Sequence, residues 1–202
     1  MVATLGATIK PTGKKEIAVL IVPTVYLPYS FSCPALSDDN LCRIQNNKPS
    51  RCKTMPFYPY FEERNQAGLL IPRRGWTCDT SAAAPLVFQD NKVVFRDDFD
   101  RERQDILEQV PVMRRYVDYM LKYSPTLPGS LYKAAGAIKA AHVVTSLSSF
   151  LTATRNADAQ KLAMLQAPLL SDYAARSAGN AQLREFHKNY SNWAKEMEYL
   201  AR

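Results

Sequence analysis

The chain has 202 residues, 47% of them hydrophobic, and a formal net charge of +7. That composition excludes an intrinsically disordered chain, and the length suits one good core while being short for two ordinary domains. The charge is lopsided: residues 1–76 carry ten Lys and Arg against five Asp and Glu, and residues 77–202 carry sixteen against fourteen. A basic front favours an acidic protein, an anionic membrane face or nucleic acid, and it equally serves solubility.

Nine of the thirteen prolines and all four cysteines precede residue 90. Proline removes a backbone donor and biases its predecessor to an extended conformation, so the chain reads as two halves. We expect an irregular docking arm over 1–92 and an all-α, up-down four-helix bundle over about 95–202, the second domain running from 93 to 202.

Residues 1–15 hold three Lys and no acid, which fits either a flexible basic arm or the remnant of an organellar targeting segment. Residues 17–37 hold no charge at all. Their length makes a membrane span one reading, against which stand Pro23, Pro28 and Pro34; the other is an extended apolar arm lying in a groove of another protein or across the chain's own helices. Cys33, Cys42, Cys52 and Cys78 follow. None forms the close pair that structural zinc wants, and an even number in a loop-rich segment reads as two disulfides and an oxidising compartment, with four reduced buried thiols as the alternative. The 42/52 spacing is similar to one unit of the twin C-x9-C mitochondrial proteins, whose second unit is missing here.

The aromatic strip from Met55 to Arg64 is followed at once by acids, which argues for rings packed on protein rather than stacked on bases. The residues expected to dock a partner are Val22, Tyr26, Tyr29, Phe31, Phe57, Tyr58, Tyr60, Phe61, Arg73 and Arg74.

Asp97, Asp98 and Asp100 open the first helix, placing acids at its positive end. Its apolar face keeps helical spacing through Ile106, Val110, Met113 and Val117 across Pro111, which implies a kinked helix or two abutting ones. A turn at 124–130 leads to a second helix over about 130–154, rich in Ala and Ser, with Ile138 and Leu147 as its bulk. A third carries Leu165 and Leu169 and is bent by Pro168; Gly179 ends it. In the last, Leu183, Phe186, Tyr190, Trp193, Met197 and Leu200 alternate at three and four, so all six share one face that needs partners. These fourteen residues, from Ile106 to Leu200, are the expected bundle core.

No nucleotide-binding, nucleophile-elbow or zincin motif occurs. His142 and His187 read as structural histidines, the helix-start acids as caps, and the Asn189-Tyr-Ser191 sequon as a chance match in mid-helix. No catalytic residue, metal, cofactor, nucleic acid or small-molecule substrate is therefore expected. The partners expected are protein subunits of a large complex, with a membrane surface nearby.

The acid-led first helix through Tyr116-Val117, the Gly179-Asn180 turn and the last helix from Phe186 to Trp193, behind a proline-punctuated arm, resemble the PsbQ family, the extrinsic lumenal subunits of photosystem II. The resemblance covers residues 90–202. It implies a non-enzymatic accessory subunit, docked by its arm in the thylakoid lumen, that shields the oxygen-evolving site. A mitochondrial respiratory-chain or ATP-synthase accessory subunit, in the intermembrane space or on the inner-membrane surface, is the alternative host. A soluble ligand-binding helical domain is the reading from another class.

Overall fold

The computed structural model describes residues 7–9, 16–21, 24–72, 78–136 and 142–202. Of these, 56% are helical and 6% in strands, so the chain is mainly helical. In chain order the elements are β1 (Ala7–Ile9), β2 (Ile17–Val19), α1 (Ser50–Thr54), β3 (Phe88–Gln89), β4 (Lys92–Val93), α2 (Arg96–Tyr123), α3 (Leu127–Ala135), α4 (Leu147–Thr154), α5 (Ala159–Ser177) and α6 (Arg184–Leu200), with 3-10 turns between several of them. β1 pairs with β2, and β3 with β4. No helix among the described residues is long and apolar enough to cross a membrane.

The chain divides into two compact units, and the division corrects the expected boundary at residue 92. One unit is built mainly from Ala35–Pro111; the other takes Ile21–Pro34 and Val112–Arg202. α2 contributes its first half to one and its second half to the other.

The first unit has an interior of its own, so this stretch does not wait for a neighbour to give it shape. Phe57, Val93 and Phe99 are buried, with Leu70, Val87 and Phe88 packed against them. The β3–β4 hairpin supplies two of these side chains. Asp90 and Asn91 both take positive φ, 49° and 61°, the twist a two-residue hairpin loop requires and one that Asp and Asn adopt at little cost. Phe88 then sits opposite Val93, and the Phe88 ring stacks on Phe57 at 5.6 Å.

The second unit is organised on the α5–α6 hairpin, its most extensively paired elements. α5 turns small side chains to that contact: Ala163, Ala167, Ala174 and Ser177 are all buried. Small residues let the two backbones approach closely, and Met197 fills the space with Leu151 of α4. Gly179, at φ +73°, makes the turn in a conformation that costs other residues a steric penalty. Asn180 then caps the next turn, its side-chain oxygen accepting from the Gln182 N–H at 2.9 Å.

α2 runs as one helix through Pro111 rather than as two abutting ones. Two other expectations about helices need correction. The long second helix over 130–154 is instead α3 and α4, with residues 142–146 non-helical between them. Gly136 stands at the C-cap of α3 and the extended Ser146 at the N-cap of α4, and His142-Val-Val-Thr145 between them is a run of poor helix formers. Ile138 lies outside the described residues. Finally, Leu147, Leu165 and Leu169 are not core: they are 43%, 57% and 52% exposed. α5 is rotated so that its alanines face α6, which turns the leucines to water. Val117, Leu183, Tyr190 and Met197 are buried, and Ile106, Val110, Met113, Phe186, Trp193 and Leu200 half-buried.

Candidate interaction surfaces

Aromatic and charged clusters concentrate the polar chemistry of the described residues. In the second unit the segment 24–34 is clasped onto α5 and α6. The Tyr26 ring stacks on Phe186 at 4.6 Å and meets Trp193 and Tyr190 edge-on at 5.1 and 5.8 Å. Its hydroxyl accepts from Asn189 Nδ2 at 2.9 Å, and its backbone carbonyl accepts from the Tyr190 hydroxyl at 2.6 Å. Pro28 is buried. Phe31 stacks on Tyr173 at 5.8 Å, with the Arg176 guanidinium 4.5 Å from its ring centre. Of the two grooves open to an extended apolar arm, these residues occupy one made by the chain itself.

Burial pushes the Tyr190 hydroxyl up to about 12, with Tyr26 and Tyr173 adding to the effect. Burial also raises Tyr26, against the hydrogen bond from Asn189. A raised tyrosine keeps its proton in the fold longer than in the unfolded chain, so its contribution is complete below the ordinary tyrosine value near 10. As pH climbs from about 10 towards 12 the unfolded state gives up its proton first, and stability falls. We therefore expect tyrosinate absorbance to rise in two stages on alkaline titration, the later one coinciding with loss of helical circular dichroism. Tyr190→Phe should remove part of the late stage; a single stage near 10 with the helices intact would refute the assignment.

In the first unit, Arg51 and Glu102 form the most enclosed ion pair, at 3.4 Å, with the Glu102 side chain 7% and the Arg51 side chain 27% exposed. Thr54 Oγ1 also donates to Glu102, Arg51 Nη1 donates to the Phe57 carbonyl, and the guanidinium lies 4.1 Å from the centre of the Tyr58 ring. Arg51 Nη2 is buried without a hydrogen-bond partner. Ser50 Oγ donates to Asp105 at 2.5 Å, one turn further along α2. Gln66, 1% exposed, pins the aromatic strip: it donates to the Tyr58 and Phe61 carbonyls at 2.9 and 3.3 Å, and its oxygen accepts from the Tyr58 N–H at 2.7 Å. Burial raises the Tyr60 hydroxyl, with Tyr58 beside it. Glu63 accepts from the Val93 N–H at 3.1 Å and from Arg96 at 2.6 Å, tying this strip to the hairpin and to α2.

The expected docking residues are thus largely used inside the chain. Phe57 is core, Tyr26, Phe31, Tyr58 and Tyr60 are half-buried in the clusters above, and Tyr29 and Phe61 are exposed. Val22, Arg73 and Arg74 lie outside the described residues. The two disulfides are also corrected: Cys33, Cys42, Cys52 and Cys78 are all free thiols, and three of them are exposed. Cys42 stands in a bridge to Leu36 and Cys52 within α1. Without cross-links, the argument from cysteine to an oxidising compartment has no support. His187 Nδ1 lies 2.9 Å from the Ala174 carbonyl and so links α6 to α5. Among the described residues no group of three His, Cys, Asp or Glu is placed to hold a metal ion.

Sequence reasoning missed Gln66 and Glu102. Glu102 shares the α2 face of Phe99 and Ile106, at spacings of three and four, which was the available signal; a buried Gln in a loop leaves none. Compared with known protein families, characterised proteins and solved structures, the chain has no match.

Proposed function

We propose that the chain is a non-enzymatic accessory subunit that works by protein contact within a large organellar membrane complex. The observation that carries this is the apolar surface of the first unit. Ile71, Leu86 and Phe95 are 74%, 58% and 59% exposed and lie outside the buried cluster of Phe57, Val93 and Phe99. A folded unit that holds large apolar groups in water fits a surface covered by another protein.

The PsbQ resemblance makes photosystem II the host to test first, and α2, α4, α5 and α6 are the helices that would form its four-helix arrangement. The free thiols leave the lumenal location resting on the resemblance alone. The test is purification of the tagged chain from its native source under mild detergent. We expect it to travel with a large complex, and Ile71→Glu with Phe95→Glu to release it while its circular dichroism stays unchanged. Migration of the wild-type chain at its own 22.8 kDa would overturn the reading. A respiratory or ATP-synthase complex as host would keep the class and replace the photosystem.

A further inference from the structure

We propose that a second copy of this chain covers the outer face of α5, in an antiparallel pair about a two-fold axis. α5 has two apolar faces. One buries its alanines against α6. Diametrically opposite, Met164, Leu165, Pro168 and Leu169 are all exposed, the first two and the last by 55%, 57% and 52%. At 100° per residue these four side chains, with Lys161 before them and Asp172 after them, lie within one stripe of the helix.

The order of residues along that stripe identifies the occupant. Lys161 and Asp172, Met164 and Leu169, and Leu165 and Pro168 are each placed symmetrically about the point between residues 166 and 167. Two α5 helices laid antiparallel about that point bring each Lys161 to Asp172 of the second copy, Met164 to Pro168 along one edge of the stripe, and Leu165 to Leu169 along the other. A two-fold interface must be self-complementary in this way, because every contact is made twice with the roles exchanged. A parallel pairing would instead set Lys161 against Lys161 and Asp172 against Asp172. Both charges are exposed, and among the described residues Asp172 pairs with Arg176 at 3.5 Å, on a carboxylate that has a second oxygen to offer. Pro168 also suits the position. It lacks the N–H that would bond the Met164 carbonyl, and its ring adds rigid apolar surface at the centre of the strip.

Six side chains per copy make a small interface, well under the roughly 20–30 residues a side of a stable complex, so the pairing is expected to be weak, with a Kd of about 10–500 μM. The pairing needs no host complex, and a failure here would leave the proposed function standing.

Sedimentation equilibrium of the full chain, in reductant because Cys33, Cys52 and Cys78 are exposed, tests it between low micromolar and millimolar concentration. We expect a monomer–dimer equilibrium. Leu165→Glu should abolish it with the helical circular dichroism unchanged. Lys161→Asp alone sets like charges together twice and should weaken pairing about tenfold, as should Asp172→Lys. The double exchange Lys161→Asp with Asp172→Lys should bring the Kd back to within about threefold of wild type. A monomer throughout the range overturns the proposal. So does dimerisation that Leu165→Glu leaves intact, or a double exchange no better than either single variant.

Discussion

Tyr26→Ala is expected to cost about 3 kcal/mol of stability in the second unit, a value at the low end for truncating an aromatic residue because the ring is half-buried. Three ring contacts disappear, to Phe186, Trp193 and Tyr190, each worth about 0.5–1.5 kcal/mol beyond simple burial. The Asn189 side chain also loses its acceptor. Tyr26→Phe keeps the rings and removes only the hydroxyl, so it should cost about 1 kcal/mol. Urea unfolding followed by Trp193 fluorescence checks both, since Trp193 lies 5.1 Å from the Tyr26 ring. Equal midpoints for Tyr26→Ala and wild type would mean that the clasp contributes nothing to stability. Pairing Tyr26→Ala with Trp193→Phe in a double-mutant cycle, read by circular dichroism because the second variant removes the fluorophore, isolates the ring contact from the truncation itself.

In the first unit Glu102→Ala is expected to have an effect of similar size, about 2–4 kcal/mol, because it strands the Arg51 guanidinium in a site built around an opposite charge. Thr54 loses its acceptor at the same time. Glu102→Gln keeps a hydrogen-bond acceptor without the charge, and should fall between wild type and Ala. Replacing both partners by apolar residues, as in Arg51→Leu with Glu102→Leu, removes the stranded charge and should recover much of the loss. Thermal unfolding by circular dichroism in the far ultraviolet reads all four proteins. If Glu102→Ala melts within a degree of wild type, the pair has no structural weight.

How far the sequence could be read depended on whether a feature was local. The last helix was legible because Leu183 through Leu200 repeat at three and four, and an amphipathic period of that kind depends only on neighbours along one helix. The turn at Gly179 and the acids that open α2 were legible for the same reason. α5 was harder. Its leucines and alanines both run at helical spacing, and size suggested the leucines for the core. Close approach to α6 selects the alanines instead, which depends on the partner helix and is not written in α5. The hairpin at Asp90-Asn91 was missed although its turn residues are characteristic, because each strand has only two residues and shows no alternation. The roles of Tyr26, Gln66 and Glu102 depend on contacts with elements distant in sequence. Composition marked residues 17–37 as needing a cover; only the fold shows that α5 and α6 supply one for residues 26–31.

The clasp joins Tyr26 to residues 163 and 164 positions further along the chain. A ribosome makes the front half of that contact 163 residues before the back half. Until α6 has been made the uncharged stretch around Tyr26 has nowhere of its own to go, and the closing step must gather all the intervening chain into one loop. Emergence of α6, rather than of any earlier helix, is then the moment at which this unit can finish, and until then its early residues are open to any holding factor that binds extended apolar chain.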